Sequence, residues 1–111
     1  MAVQTARRSR DSDGGMAALE RKASQAAGLL KLLANENRLL ILCQLVKARE
    51  VSVGELAGSV GLSQSALSQH LAKMREEGLV ATRRDAQTIY YRIANADAAR
   101  LLSHLKDIYC P

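Results

Sequence analysis

Residues 53–77 read V-G-E-L-A-G-S-V-G-L-S-Q-S-A-L-S-Q-H-L-A-K-M-R-E-E, and this stretch decides how the rest of the chain is read. Ser52 stands three residues before Glu55, the spacing of a capping box that opens a helix. Leu56, Ala57 and Val60 give that helix an apolar stripe, and Gly61 ends it, because glycine enters the left-handed region without a Cβ clash. Leu62 turns inward and Ser63 is a natural N-cap for a second helix. In that helix Leu67, Leu71 and Met74 recur at i, i+4 and i+7 and form one buried face. The opposite face carries Ser65, Gln69 and Glu76, flanked by Gln64, Ser68 and Lys73, and Gly78 closes the helix. Two short helices with a tight turn are the pattern of a helix-turn-helix, whose second helix lies in the DNA major groove. Glutamine suits such a face, since it bonds adenine N6 and N7 together. An ordinary helical hairpin with a solvated polar face would read the same way.

Outward from this core, residues 17–33 are rich in Ala, Leu, Lys, Glu and Gln, with Leu19, Ala23, Ala26, Ala27, Leu30 and Leu33 in a stripe. Asn35 caps a next helix over 36–48, whose run Leu39-Leu40-Ile41-Leu42-Cys43 is apolar nearly all round and predicts a central, buried element. Arg49 and Glu50 make an exposed connection. After Gly78 the apolar period changes from 3.6 to 2. Residues 79–84 and 88–93 predict two strands, joined by a turn at Asp85-Ala86-Gln87, with Ile89, Tyr91 and Ile93 inward and Tyr90 and Arg92 outward. A hairpin after a helix-turn-helix is a wing, and Arg83, Arg84 and Gln87 lie near its tip, placed for phosphate or the minor groove; a solvated turn is the plain alternative. Asn95 or Asp97 opens a last helix carrying Ala98, Leu101, Leu102, Leu105 and Ile108. The expected fold is therefore mainly α with a small β-hairpin: four helices, two strands and a fifth helix in a winged helix-turn-helix. Residues 1–16 are expected to be a disordered tail and 17–111 one domain for DNA binding and dimerisation.

The formal charge is 16 − 11 = +5, which suits a polyanionic partner without requiring one. Its distribution adds little, because residues 49–92 hold six basic and five acidic side chains. Phe and Trp are absent, which argues against a stacking platform for single-stranded nucleic acid. Aromatics make up only 3% of the chain, and so small a core favours support from a partner subunit. No run reaches the length of a membrane span and no secretory signal is evident, so the expected location is cytoplasmic, where thiols stay reduced by default. Cys43 and Cys110 are then not presumed to form a structural disulfide.

The runs L-L-A-N-E-N-R-L-L-I-L, then E-L-A-G-S-V-G-L-S-Q-S-A-L-S-Q-H-L-A-K-M-R-E-E-G-L-V, and I-Y-Y-R-I together resemble the ArsR/SmtB family of bacterial repressors over about residues 17–111. The resemblance implies a homodimer joined through first and last helices, bound to a palindromic operator in double-stranded DNA and released by an inducer. It puts Gln64, Ser65, Ser68 and Gln69 where family members read bases. His70 matches a common family residue, and its place beside the apolar face suits orienting or packing. The family's usual metal sites are incomplete: Ser52 and Gly54 stand at the C-x-C positions, Ala99 stands two after Asp97, and His104 has only Asp107 nearby. No metal or other cofactor is therefore expected, although a site shared by Cys43, Cys110 and His104 stays conceivable.

The pairing of Cys43 with Cys110, and the ending I-Y-C-P, resemble the BigR/SqrR-type subgroup. That resemblance implies two redox-sensing thiols, cross-linked through sulfur when low-molecular-weight persulfides accumulate, and control of sulfide-detoxification genes. One core cysteine and one incidental tail cysteine are the alternative. A metal-responsive repressor and a general thiol-oxidation sensor are the competing functions. An enzyme is not expected, since a redox enzyme favours C-x-x-C beside a βαβ pattern and these cysteines are 110 − 43 = 67 positions apart.

Overall fold

The structure, a computed structural model, describes residues 12–110, with side chains from residue 15 onward. Helix α1 spans Ser12–Leu33, five residues earlier than the expected start at 17. Its Leu19 and Leu30 are exposed. The rest of the proposed tail, residues 1–11, lies outside the described residues, so the division at residue 16 remains an expectation.

From residue 33 the chain forms a second unit. Asn35 caps helix α2, Glu36–Ala48, by accepting the Arg38 N–H with its side chain at 3.1 Å. Strand β1, Val51–Ser52, leads directly into α3, Val53–Val60, and α4, Gln64–Glu76. Strands β2, Val80–Asp85, and β3, Thr88–Ile93, form the wing, and α5 covers Ala96–Tyr109. The three strands are antiparallel in the order β1-β3-β2. The fold is mainly α with a small sheet and a winged helix-turn-helix arrangement, as the sequence predicts.

The core joins Ile41, Leu42 and Leu45 of α2 to Leu56 of α3, to Leu67, Leu71 and Met74 of α4, and to Ala98 and Leu102 of α5. Leu79 and Val80 close it below the wing. Fully burying a side chain of Leu or Ile size contributes about 1.5–3 kcal/mol, so these contacts fix α3 and α4 on a common base. Helix α2 is less enclosed than its composition implies: Leu40 is 48% exposed and Cys43 is half-buried. An ion pair between Arg38 and Glu77, 2.7 Å and mostly shielded, ties α2 to the end of α4.

Two local features depart from the sequence reading. β1, where no strand was expected, follows the Arg49-Glu50 connection and pairs Val51 with Tyr91 and Ser52 with Tyr90. The hairpin turn is two residues rather than three, with Asp85 paired to Thr88 and Ala86 at φ 58°. On the strand face that it shares with exposed Arg92, Tyr90 is half-buried, with the Arg83 guanidinium 4.8 Å from its ring centre.

Candidate nucleic-acid interface and thiol pair

Local chemistry fixes the angle between α3 and α4. Ser52 Oγ accepts the Glu55 N–H at 3.4 Å while the Glu55 carboxylate accepts the Ser52 N–H at 3.4 Å, completing the capping box. Gly61 sits at φ 73° and donates its N–H to the Ala57 carbonyl at 3.1 Å. Ser63 then accepts the Ala66 N–H at 3.1 Å and starts α4. At the far end Gly78, φ 78°, donates to the Arg75 carbonyl and Leu79 donates to the Met74 carbonyl. That bond pattern is a Schellman motif, and it turns the chain from α4 into the wing.

With Leu67, Leu71 and Met74 buried, α4 turns Gln64, Ser65, Ser68, Gln69 and Lys73 outward, all exposed. The four candidate base-reading residues and Lys73 are therefore all solvent-facing on a single helix. His70 is half-buried and, with Gln69 and Lys73, lines a shallow cleft of about 210 Å³.

On the wing, Arg84 and Gln87 are exposed near the turn, and no ion pair engages Arg84 among the described residues. Arg83 is held differently. Its Nε and Nη2 donate to Glu50 Oε2 and Oε1 at 3.0 and 2.8 Å, a two-pronged pair. The hydrogen bonds from Arg83, assisted by its charge, hold the Glu50 carboxyl below its usual range, and the same pair raises Arg83. Arg83 thus fastens the wing to the loop after α2, a role the sequence reading missed. In that loop Arg49 is at φ 70°, ψ −50°, and the Glu50 N–H donates to the Ala48 carbonyl at 2.7 Å. This is a γ-turn of the strained kind.

A second cluster lies between the C-terminal half of α2 and the end of α5. Cys43, Gln44 and Lys47 of α2 and Lys106 and Cys110 at the end of α5 line one cavity of about 280 Å³. Burial pushes the Cys43 thiol up; the charge of Cys110 adds to that and the Lys106 ammonium opposes it. Cys110 is exposed, and its N–H donates to the Lys106 carbonyl at 2.7 Å. The sequence reading missed both lysines, although each stands four residues from a cysteine on the same helix: 43 to 47 and 106 to 110. His104 is exposed and does not line the cavity. Among the described residues no three His, Cys, Asp or Glu side chains converge. No described helix is long and apolar enough to cross a membrane.

Residues 35–82, from the cap of α2 into β2, match the model of the family described as bacterial regulatory protein, arsR family. The HTH-type transcriptional regulator YgaV of Escherichia coli is 50% identical over 96 residues, spanning 86% of this chain and 97% of YgaV. The chain belongs to the arsR family. It is also similar to the transcriptional activator HlyU of Vibrio cholerae, 48% identical over 92 residues, 83% of this chain and 84% of HlyU. A solved structure of that protein, described as reduced, matches with a TM-score of 0.77 at 47% identity, covering 84% of this chain and 97% of that one. The transcriptional repressor BigR from Xylella fastidiosa matches with a TM-score of 0.76 at 43% identity, covering 86% and 97%. The arsR-family chain described here is accordingly a DNA-binding transcriptional regulator.

Proposed function

We propose that the protein is a homodimeric repressor that leaves its operator when reactive sulfur species cross-link Cys43 and Cys110. The observation that carries this reading is the shared cavity: two thiols 67 positions apart in sequence line one space of about 280 Å³. Likeness to BigR, described as a repressor, supports the direction of regulation, and the reduced HlyU structure supports attention to thiol state. Gln64, Ser65, Ser68 and Gln69 read base edges, His70 and Lys73 support them, and Arg84 and Gln87 contact backbone. Arg83 acts mainly by holding the wing. Exposed Leu101, Ile108 and Tyr109 on α5, and Leu19 and Leu30 on α1, supply apolar surface for a second copy.

The chemistry proceeds by thiol exchange. A Cys110 thiolate, the more accessible, takes the outer sulfur of R–S–SH and releases R–S⁻. A second donor lengthens the adduct to Cys110–S–S–SH. The Cys43 thiolate attacks its middle sulfur and expels HS⁻, leaving a trisulfide between α2 and the end of α5. Extra sulfur lets the bridge span more than the roughly 7 Å that a plain disulfide tolerates between Cα atoms. Because α5 also carries dimer surface, the tie alters the spacing of the two α4 helices, which must match one turn of DNA. Fluorescence anisotropy on an inverted repeat from upstream of the gene tests this. Glutathione persulfide should release the wild type, while Cys43→Ser and Cys110→Ser bind DNA and ignore the persulfide. Release of either single variant as readily as the wild type would remove the thiol pair from the mechanism.

A further inference from the structure

We propose that Lys47 and Lys106 make the thiol cavity selective for anionic sulfur donors, a reading that rests on the thiol pair being the sensor. Among the described residues five line the cavity; Lys47 and Lys106 are the charged ones besides the thiols, and none of the five is a carboxylate. They reach it from separate helices, Lys47 one turn beyond Cys43 and Lys106 one turn before Cys110. A sphere of about 280 Å³ is roughly 8 Å across, less than the Debye length of about 10 Å at 0.1 M salt. Any reactant close enough to exchange with Cys43 or Cys110 therefore still feels both cations, at roughly half their unscreened strength at 0.1 M salt.

The effect divides donors by charge. A carboxylate-bearing or hydropolysulfide anion is concentrated at the cavity, whereas an ammonium-bearing disulfide of equal reactivity is repelled. The exchange itself moves one negative charge without creating any: a thiolate attacks one sulfur and the electron pair leaves on the other as R–S⁻. Two nearby ammoniums favour that departing anion as well as the arriving one. Lys106 also opposes the upward push of burial on the Cys43 thiol, which helps the resolving step. Gln44 completes the lining as a neutral hydrogen-bonding group suited to a carboxylate or amide of the donor.

The test uses the full reduced chain and three symmetric disulfides: dithiodiglycolate, which is anionic, bis(2-hydroxyethyl) disulfide, which is neutral, and cystamine, which is cationic. Each rate of thiol loss is divided by the rate of the same disulfide with 2-mercaptoethanol at the same pH, which removes intrinsic reactivity. A unit charge roughly 8 Å from each ammonium changes the rate several-fold in near-aqueous dielectric, so the anion-to-cation ratio should be about tenfold at low salt. It should collapse toward one in 1 M salt and in the Lys47→Gln/Lys106→Gln double variant. A normalised ratio near one in the native protein, or a tenfold ratio surviving in the double variant, overturns the proposal. The salt series on the unaltered chain keeps the test decisive if the variant folds poorly. Charge preference without persulfide-triggered DNA release would leave the selectivity standing and remove the sensor reading; release with no charge preference would do the reverse.

Discussion

The turn between α3 and α4 can be tested by making one substitution at two glycines three residues apart. Gly58 lies inside helix α3 and Gly61 lies at φ 73° just beyond it. A Cβ built at either position meets no heavy atom within 4 Å, so neither change introduces a clash. What remains is backbone preference alone. Gly58→Ala replaces a poor helix former by the best one and should stabilise by about 0.8–1 kcal/mol. Gly61→Ala forces a residue with a side chain into the left-handed region, at about 1–2 kcal/mol, partly offset by about 0.4–1 kcal/mol from a stiffer unfolded chain. The net expectation is a loss of about 0.5–1 kcal/mol. Urea unfolding followed by circular dichroism, at one fixed protomer concentration because a dimer's stability depends on it, should move the two midpoints in opposite directions. With a slope of about 2 kcal/mol per molar urea, each shift is about 0.3–0.5 M. Gly61→Asn should lose less than Gly61→Ala, since asparagine tolerates this conformation. Midpoints that move the same way for both alanine variants would refute the assignment of Gly61 as the left-handed turn residue.

Four other outcomes follow from the same geometry. Gln69→Ala should cost about 1–3 kcal/mol against the preferred operator and relax base preference, whereas Arg84→Ala should weaken all duplexes alike and lower the salt slope by about one; competition gel shifts over a salt series separate the two. If Arg83 acts through its fork to Glu50, then Glu50→Gln and Arg83→Ala should impair DNA binding to similar degrees, and a harmless Glu50→Gln would instead make Arg83 a direct contact. Arg49→Gly should raise the urea midpoint by relieving the positive φ at that position, and a lower midpoint would speak against the strained turn. Because burial raises the Cys43 thiol, its protonated form is favoured on folding. The associated stability is complete below the ordinary thiol value of about 8.5 and is lost as pH rises through the higher folded value, so alkylation of Cys43 should lag that of Cys110 at neutral pH and catch up in alkali.

Much of this was legible because caps are local. Asn35, the Ser52–Glu55 pair, Gly61 and Ser63 each act within three or four residues, and the apolar spacing of Leu67, Leu71 and Met74 fixed which side of α4 faces out. Strand β1 was not legible, since two residues cannot show a period of two; its partner Tyr91 lies forty positions on. The fork between Glu50 and Arg83 spans 33 positions and depends on how the wing folds back. Neither Arg49 nor Ala86 announces a positive φ, because tertiary packing and hairpin register impose it against residue preference. At the thiol cavity the cysteines stood out by type, while Lys47 and Lys106 looked like ordinary helix surface until α2 and α5 brought them to one space.

In the proposed mechanism a sulfur bridge between Cys43 and Cys110 switches off DNA binding. Intact-protein mass spectrometry on the sample whose operator affinity is being measured tests it most directly, after treatment with glutathione persulfide or with peroxide. Persulfide should abolish operator binding and leave an intramolecular species heavier than the disulfide by whole sulfur atoms, reversible by a thiol reductant. Peroxide supplies no sulfur and should act more slowly, through a short disulfide or sulfenic acid. Loss of DNA binding with neither cysteine modified, or release by peroxide at least as readily as by persulfide, would contradict it.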